Sequence, residues 1–271
     1  MLNHLFRLQE RAQAEGWNKA NKLEGRTTSH GLIGVQVDGN KGVILELNCE
    51  TDFVAKNSKF LSLLHEVTAL NLKAINVSST EDLSVVKLDK QALDQMDASQ
   101  DGKTMADLIA LKIGLIGENI SNHKAEHFVS NKPNIHLIGY THPPGGIQQG
   151  PLFYGRYGVL MALENRTNTD SFNGQSIESI GRQLCQHVVG MNPTSVGDLD
   201  NPDSWPSLKN ETSRDADDES VSEEDFIGTT ETAMIHQPFL LDTDRFVRDI
   251  LLEVGLNIKG FVRYEVGQNH G

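Results

Sequence analysis

The sequence lacks any apolar run long enough to cross a bilayer. Its longest runs, such as residues 157–163, fall far short of the roughly 20 apolar residues that a membrane helix requires. At 271 residues and 38% hydrophobic composition, the chain is long enough for one large domain or two modest ones. We expect a globular protein with no membrane partner.

The sequence has only two cysteines, Cys49 and Cys185, and they form no CxxC pair. This scarcity fits a reducing compartment or a fold that needs no covalent cross-links. A single disulfide between the two cysteines is the alternative. Cys185 lies two residues before His187, but helical residues two apart face different sides, and neither cysteine has an identifiable base. We interpret both cysteines as small core residues.

The common signatures of phosphate binding and serine hydrolysis are also missing. The chain contains no Walker-type phosphate loop, no GxGxxG and no GxSxG. We therefore expect that this chain binds no nucleotide itself.

Negative charge is concentrated in one stretch. The formal net charge is −13, and residues 198–225 hold eleven acidic residues against Lys209 and Arg214. A stretch so acidic buries too little apolar surface to offset the entropy of ordering it, so we predict a flexible acidic insertion at about residues 198–228. An arm that binds a basic partner is the alternative. Spread evenly, this charge would argue against nucleic acid, because phosphates need Lys and Arg to replace their counterions. We expect no direct nucleic-acid partner.

The N-terminal residues lack the apolar core of a signal peptide and the acid-poor character of a transit peptide. We expect that any targeting segment is absent from this chain. Residues 5–22 are predicted to form a helix, interrupted around Gly16 and Trp17.

A β-hairpin is the strongest local prediction. Residues 31–37 and 43–47 are rich in β-branched and aliphatic residues, and residues 38–42 (DGNKG) between them are typical of a turn. Asn57 and Ser58 are suited to cap a following helix, whose apolar positions keep helical spacing. Residues 50–57 (ETDFVAKN) therefore connect a strand to a helix.

Further elements follow from hydrophobic periodicity. Residues 104–120 predict a central buried helix in which Gly114 and Gly117 allow close packing. The remaining predictions are strands at 135–141, 157–163 and 258–266, and helices at 177–190 and 243–254.

The order of these elements predicts an α+β fold. Two hairpins that each precede a helix share weak similarity, because LIG recurs at residues 32–34 and 137–139. Short connections favour antiparallel pairing over a doubly wound sheet. We expect two related subdomains of antiparallel hairpin or sheet packed with helices, after a short helical N-terminal segment.

An HxxEH sequence offers one candidate metal site, formed by His123, Glu126 and His127. On a helix, these residues would make a zinc hydrolase site. On a strand, the histidines would stand about 13 Å apart and could not share a metal. The alternating pattern favours the strand, so we expect no metal and no cofactor.

The residues Thr51, Asp52, Phe53 and Val54 carry no evident chemistry on their own. From spacing alone, a phenylalanine beside an aspartate in a strand-to-helix connection is typical of a core plug next to a helix-capping acid.

Residues 49–57 (CETDFVAKN) resemble the most recognisable motif of the elongation factor Ts family. Residues 17–34 resemble the lead-in to the family's core, and residues 112–119 (KIGLIGEN) resemble its central helix. Residues 237–240 and 260–267 (GFVRYEVG) resemble its C-terminal part. Residues 186–196 (QHVVGMNPTSV) are particularly similar to the mitochondrial branch.

This resemblance implies nucleotide exchange on a partner GTPase, mitochondrial elongation factor Tu, without chemical catalysis. The family's loop enters the GTPase near its magnesium and phosphate sites. Carried over, Phe53 is the wedge, Asp52 adds polar contacts, and Thr51 and Val54 shape the loop. The second subdomain would grip another domain of the GTPase, with His187, Gly190 and Met191 as secondary contacts. The branch implies the mitochondrial matrix.

The resemblance also implies a domain organisation. Residues 1–25 would be a remnant of a ubiquitin-associated-like domain, residues 26–122 the N-subdomain, and residues 123–271 the C-subdomain. The acidic insertion stands where bacterial members carry a coiled-coil hairpin, so contacts of that hairpin are not carried over. A protein that only binds and stabilises the GTPase, without exchanging nucleotide, is the alternative function.

Overall fold

The structure is a computed structural model that describes residues 2–76, 79–98, 102–143, 151–167, 169, 171–172, 174–202, 205 and 233–268. Most of the predicted acidic insertion, from residue 206 onward, lies outside the described residues. Neither cysteine forms a disulfide, and both are buried. Among the described residues, no helix is both long and apolar enough to span a membrane.

The described residues form seven α-helices, twelve strands and a 3₁₀ turn at Met234–His236. The helices are α1 Leu2–Leu23, α2 Asp52–Ala55, α3 Ser58–Ala74, α4 Lys90–Asp94, α5 Met105–Ile116, α6 Ile177–Met191 and α7 Val247–Val254. The strands are β1 His30–Asp38, β2 Lys41–Cys49, β3 Leu83–Asp89, β4 Ile120–Ser130, β5 Ile135–His142, β6 Leu152–Gly155, β7 Tyr157–Asn165, β8 Ser171–Phe172, β9 Gln175–Ser176, β10 Pro238–Phe239, β11 Asp242–Phe246 and β12 Leu256–Glu265.

The strands pair in two main antiparallel sheets. One sheet has the order β3-β4-β2-β1-β6, and the other has the order β12-β7-β5. The predicted hairpin is confirmed as β1 and β2, with Asp38 opposite Lys41 at the turn. This architecture confirms the predicted α+β class.

The two sheets pack face to face between layers of helices. Alternate residues of β2 divide between the two sides: Val43 and Leu45 face α3 and α5, whereas Ile44 lies in the cluster between the sheets. On the far side, β5 and β7 pack against α6 and α7. A Cβ at Gly158 would lie 2.4 Å from Ile33 Cγ2, so the sheets approach closely at a glycine.

The predicted interruption of the first helix is wrong, because α1 runs unbroken through Gly16. A Cβ at Gly16 would lie 2.7 Å from the carbonyl oxygen of Ala110 on α5, and one at Gly114 would lie 3.0 Å from Gly16 Cα. Trp17 Nε1 donates to Asp107 Oδ1 at 2.8 Å across the same contact. Gly16 is required where α1 crosses α5, and it breaks no helix.

Two other boundaries differ from prediction. The helix predicted at 104–120 ends at Ile116, because Gly117 adopts a left-handed φ of 97° and terminates it. The segment 243–254 starts as strand β11, and its helix begins only at Val247. There, the Asp249 carboxylate accepts from Phe246 N–H at 2.9 Å and fixes the later start.

The predicted subdomain division at residues 122 and 123 falls inside β4. This strand pairs with both β2 and β3, so its hydrogen bonds attach it wholly to the first sheet. The assignment of α1 to a remnant domain stays a prediction.

Candidate functional site

The 50–57 segment begins where the ladder between β2 and β4 ends. The last paired residues are Cys49 and Ile120. Beyond them, side chains replace the ladder: the Glu50 carboxylate accepts from Asn119 N–H at 2.7 Å, and the Glu118 carboxylate accepts from Thr51 N–H at 3.1 Å. Each strand extension thus holds the other through a carboxylate.

The segment contains a single helical turn, α2, with its own cap. Thr51 is extended, and its Oγ1 accepts from Val54 N–H at 3.3 Å. Asn57 then caps α3, as predicted, through a bond from Lys59 N–H to Asn57 Oδ1 at 2.9 Å. The predicted connection between strand and helix therefore contains one short helix, α2, which Thr51 caps, and it ends at Asn57, which caps α3.

Phe53 projects into solvent with 81% of its surface exposed. The buried side chains of this turn are those of Val54 and Ala55. Because successive residues in a helix point about 100° apart, Phe53 faces away from them toward solvent. The interpretation of Phe53 as a core plug is wrong, because Val54 fills that place. Among the residues whose side-chain burial the structure describes, no other large hydrophobic residue is as exposed.

Asp52 stands at the first position of α2 and does not cap it. Its carboxylate accepts from Lys56 Nζ at 2.9 Å, and that hydrogen bond holds the pKa of Asp52 below its usual value. Thr51 provides the cap that spacing had suggested for the acid.

Behind the turn, Glu118 and Asn119 form a support that the sequence analysis did not identify. Glu118 Oε1 accepts from Thr51 Oγ1 at 2.8 Å, in addition to the backbone bond. Asn119 Nδ2 donates to the Arg26 carbonyl at 3.0 Å, and Arg26 Nη1 lies 3.3 Å from Glu50 Oε2. The IGEN ending was recognised as a family feature, but no local signal connects it to Thr51.

Cys49 lies beneath this support and carries no nucleophilic chemistry. Its Sγ donates to the Thr51 carbonyl at 3.2 Å. Burial, followed by the nearby charge of Glu118, raises the pKa of Cys49 to about 12, so the thiol stays protonated. The prediction of a small core residue agrees with this environment.

A groove runs beside the turn. It has a volume of about 710 Å³ and an apolar lining that includes Leu32, Ala55 and Leu61. Asp52 and Lys56 form part of its rim.

The predicted secondary contacts lie at the far end of α6, and His187 differs from the other two. Its side chain is fully buried: Nε2 is 3.0 Å from Gln237 Oε1, and Nδ1 accepts from Leu240 N–H at 3.2 Å. Burial lowers the pKa of His187 to about 4, so the ring is neutral. The imidazole therefore offers no exposed surface in this structure, and it supports the backbone of Leu240 above it. Its role as a partner contact stays a prediction.

That surface is a small apolar cluster, which we call the distal patch: Gly190, Met191, Leu240 and Leu241. Gly190 and Met191 are exposed, as a contact surface requires. Leu240 is 40% exposed and Leu241 is 53% exposed. A Cβ at Gly190 would lie 3.0 Å from Leu240 Cδ2, so the helix end and the β10–β11 turn form one surface.

Known proteins resemble this chain over most of its length. The family model for elongation factor Ts matches residues 50–268. Mitochondrial elongation factor Ts of Aedes aegypti is 37% identical over 265 residues, covering 96% of this chain and 77% of the relative. The chain belongs to the elongation factor Ts family.

Two further relatives with the same printed name support this assignment. The protein of Drosophila melanogaster is 35% identical over 266 residues, covering 97% of this chain and 75% of the relative. That of Mus musculus is 36% identical over 270 residues, covering 97% and 73%. The predicted family resemblance is confirmed, and the 50–57 segment lies within the matched region of elongation factor Ts.

In this family member, the HxxEH residues lie on strand β4. His127 is buried, and its Nε2 is 3.1 Å from Asn71 Oδ1; Glu126 Oε1 accepts instead from Tyr264 Oη at 3.4 Å. Burial lowers the pKa of His127 to about 4. The described residues contain no group of three potential metal ligands. The predicted strand is confirmed, and this geometry offers no support for the zinc hydrolase alternative.

Proposed function

We propose that this chain is a guanine-nucleotide exchange factor for mitochondrial elongation factor Tu, and that Phe53 acts as its wedge. The observation that carries the proposal is an aromatic side chain 81% exposed on a single turn whose base is fixed by buried residues and carboxylate hydrogen bonds. Exposed aromatic side chains of this size are typical anchors of protein interfaces.

Insertion of such a ring near the magnesium and phosphate site accounts physically for nucleotide release. Mg²⁺ and backbone amides hold the phosphates of a bound nucleotide. If GDP is held with nanomolar affinity, about 12 kcal/mol must be eroded or offset before release becomes fast. Binding of the factor supplies this coupling, and reciprocity requires that an incoming nucleotide weakens the binding of the factor.

Asp52 and the distal patch complete the proposed interface. Asp52 lies beside Phe53 on the exposed side of α2 and supplies polar contacts to the GTPase. The distal patch binds a second domain of the same partner and supplies affinity. Because the relatives are named as mitochondrial proteins, we place this exchange in the mitochondrial matrix.

The test is release of fluorescent GDP from mitochondrial elongation factor Tu, with wild-type chain, Phe53→Ala and Leu115→Ala. Leu115 is a matched control, because it is 60% exposed on α5. We expect Phe53→Ala to lower the maximal release rate by at least about tenfold, since loss of a fully engaged aromatic costs 2 kcal/mol or more. Leu115→Ala is expected to retain the wild-type rate. An unchanged rate with folded Phe53→Ala would remove the wedge assignment.

A second measurement separates exchange from simple binding. An exchange factor at substoichiometric concentration accelerates release from the whole GTPase population, because each molecule acts repeatedly. A binding-only stabiliser changes no more GTPase than its own concentration. Acceleration of only the bound fraction would therefore favour the binding-only alternative.

A further inference from the structure

We infer that Glu118 is a positioning residue for exchange: its carboxylate holds Thr51 and thereby fixes the direction in which Phe53 projects. This inference rests on the proposed function of Phe53. It assigns a role to a residue 67 positions away from Thr51 in the sequence, on a different element of the fold.

Glu118 binds both donors that Thr51 offers. Its Oε2 accepts from Thr51 N–H at 3.1 Å, and its Oε1 accepts from the Thr51 hydroxyl at 2.8 Å. An ionised carboxylate only accepts, so the hydroxyl proton points toward Glu118. The Thr51 oxygen keeps a lone pair for Val54 N–H. The result is a continuous hydrogen-bond chain from Val54 through Thr51 to Glu118.

The frame around Glu118 is rigid. Gly117 ends α5, and β4 starts at Ile120, so Glu118 lies in a connection of three residues fixed at both ends. α5 packs against the face of β2 that carries Val43 and Leu45, and β4 is an interior strand between β3 and β2. The position of the carboxylate is therefore set by the core of the first sheet.

The turn that carries Phe53 needs such an external support. A helix of four residues is too short to be stable alone, because nucleating the first turn is unfavourable. Val54 and Ala55 anchor its inner side, but the direction of the outward ring depends on where the turn begins. That point is Thr51, and Glu118 holds it through charge-assisted hydrogen bonds.

The experiment measures GDP release from elongation factor Tu as a function of factor concentration. Its variants are Glu118→Ala, Glu118→Gln and Thr51→Val, with Glu24→Gln, at an exposed site after α1, as the charge-matched control. We expect Glu118→Ala to lower the maximal rate about tenfold to a hundredfold, because it removes two bonds to a charged group. The half-saturating concentration should change little, because the distal patch is intact.

The two conservative variants are expected to lower the maximal release rate by intermediate amounts. The glutamine amide keeps one acceptor oxygen, so Glu118→Gln should fall between wild type and Glu118→Ala. Thr51→Val keeps the shape and the backbone N–H but loses the hydroxyl link, and it carries the test if Glu118→Ala does not fold. A wild-type maximal rate for folded Glu118→Ala or Thr51→Val would overturn the inference.

Combination with Phe53→Ala distinguishes positioning from general support. If Glu118 acts through Phe53, adding Glu118→Ala to Phe53→Ala lowers the maximal rate no further. Fully additive losses would show that Glu118 acts elsewhere and would overturn the inference. If Phe53→Ala alone has no effect, the wedge assignment in the proposed function fails. If Phe53→Ala slows release while folded Glu118→Ala does not, only the inference fails.

Discussion

The 50–57 segment and the distal patch both expose apolar side chains, but they are built differently. In the first, a single ring stands out from a turn held by carboxylates. In the second, Met191, Leu240 and Leu241 are each partly exposed, and Leu240 N–H donates to the buried imidazole of His187. The first surface exposes one aromatic ring, whereas the second exposes several aliphatic side chains to a smaller degree each.

From this difference and the proposed function, we expect the two surfaces to have different roles. A protruding ring fits between elements of a partner and changes their spacing, so its binding energy couples to the nucleotide site. An apolar patch gains free energy from the area that a partner covers, so we expect it to act on affinity without favouring one nucleotide state. We expect changes at the first surface to alter maximal rates and changes at the second to alter concentrations at half-saturation.

The largest expected effect is that acid destabilises the protein through His187, which lies beneath the distal patch and not beneath the 50–57 segment. The pKa of His187 is lowered to about 4 in the folded state, so the unfolded chain binds more protons between pH 4 and about 6.5. Stability is therefore highest above pH 6.5 and falls as the pH drops toward 4, by up to about 3 kcal/mol for this group. Protonation at Nδ1 also removes the acceptor for Leu240 N–H and loosens the distal patch.

Urea unfolding between pH 4 and 7 tests this prediction with His187→Gln. Glutamine does not titrate, so the variant should lose less stability than the wild type as the pH falls. His127 has the same direction of shift, so part of the pH dependence remains. Glu126 opposes it, because burial raises the pKa of that carboxyl. A parallel pH dependence in variant and wild type would contradict the prediction.

The next largest effect concerns affinity through the distal patch. Leu240→Ala with Leu241→Ala removes two partly exposed side chains worth about 1 kcal/mol each on burial, so the half-saturating concentration should rise roughly 30-fold. The maximal release rate should stay near that of the wild type. Leu252→Ala is the control, because Leu252 on α7 is also 53% exposed. A reduced maximal rate with unchanged half-saturation would abolish the distinction between the two surfaces.

The parts of the fold that the sequence predicts are those that local chemistry determines. The β1–β2 hairpin follows from its turn residues, the start of α3 follows from Asn57, and β12 follows from alternation. Gly16 was misjudged because a glycine in a helix is ambiguous: its small size serves the crossing with α5, which the sequence does not display.

The candidate site was predictable only in part, because its geometry also depends on contacts between residues that are far apart in the sequence. The four residues Thr51–Val54 were found through family resemblance, while spacing alone placed Phe53 in the core. The exposure of Phe53 depends on Val54 taking the buried position, and the support depends on Glu118, which the chain brings near only through β4. The contact role of His187 stays a prediction, and its burial was not visible from the sequence because it depends on Gln237 and Leu240, some 50 residues away.

The smallest expected effect tests whether the support of the 50–57 segment lies inside or on its surface. Lys56 and Asp52 form an ion pair at 2.9 Å, but their side chains are 77% and 50% exposed. Water and salt screen such pairs, and ordering two mobile side chains opposes the attraction. Lys56→Gln should therefore leave the urea midpoint unchanged and alter the maximal release rate by no more than about twofold. Raising the salt concentration should affect wild type and variant alike, whereas a tenfold loss of rate would mean that the surface pair, and not Glu118, holds the turn.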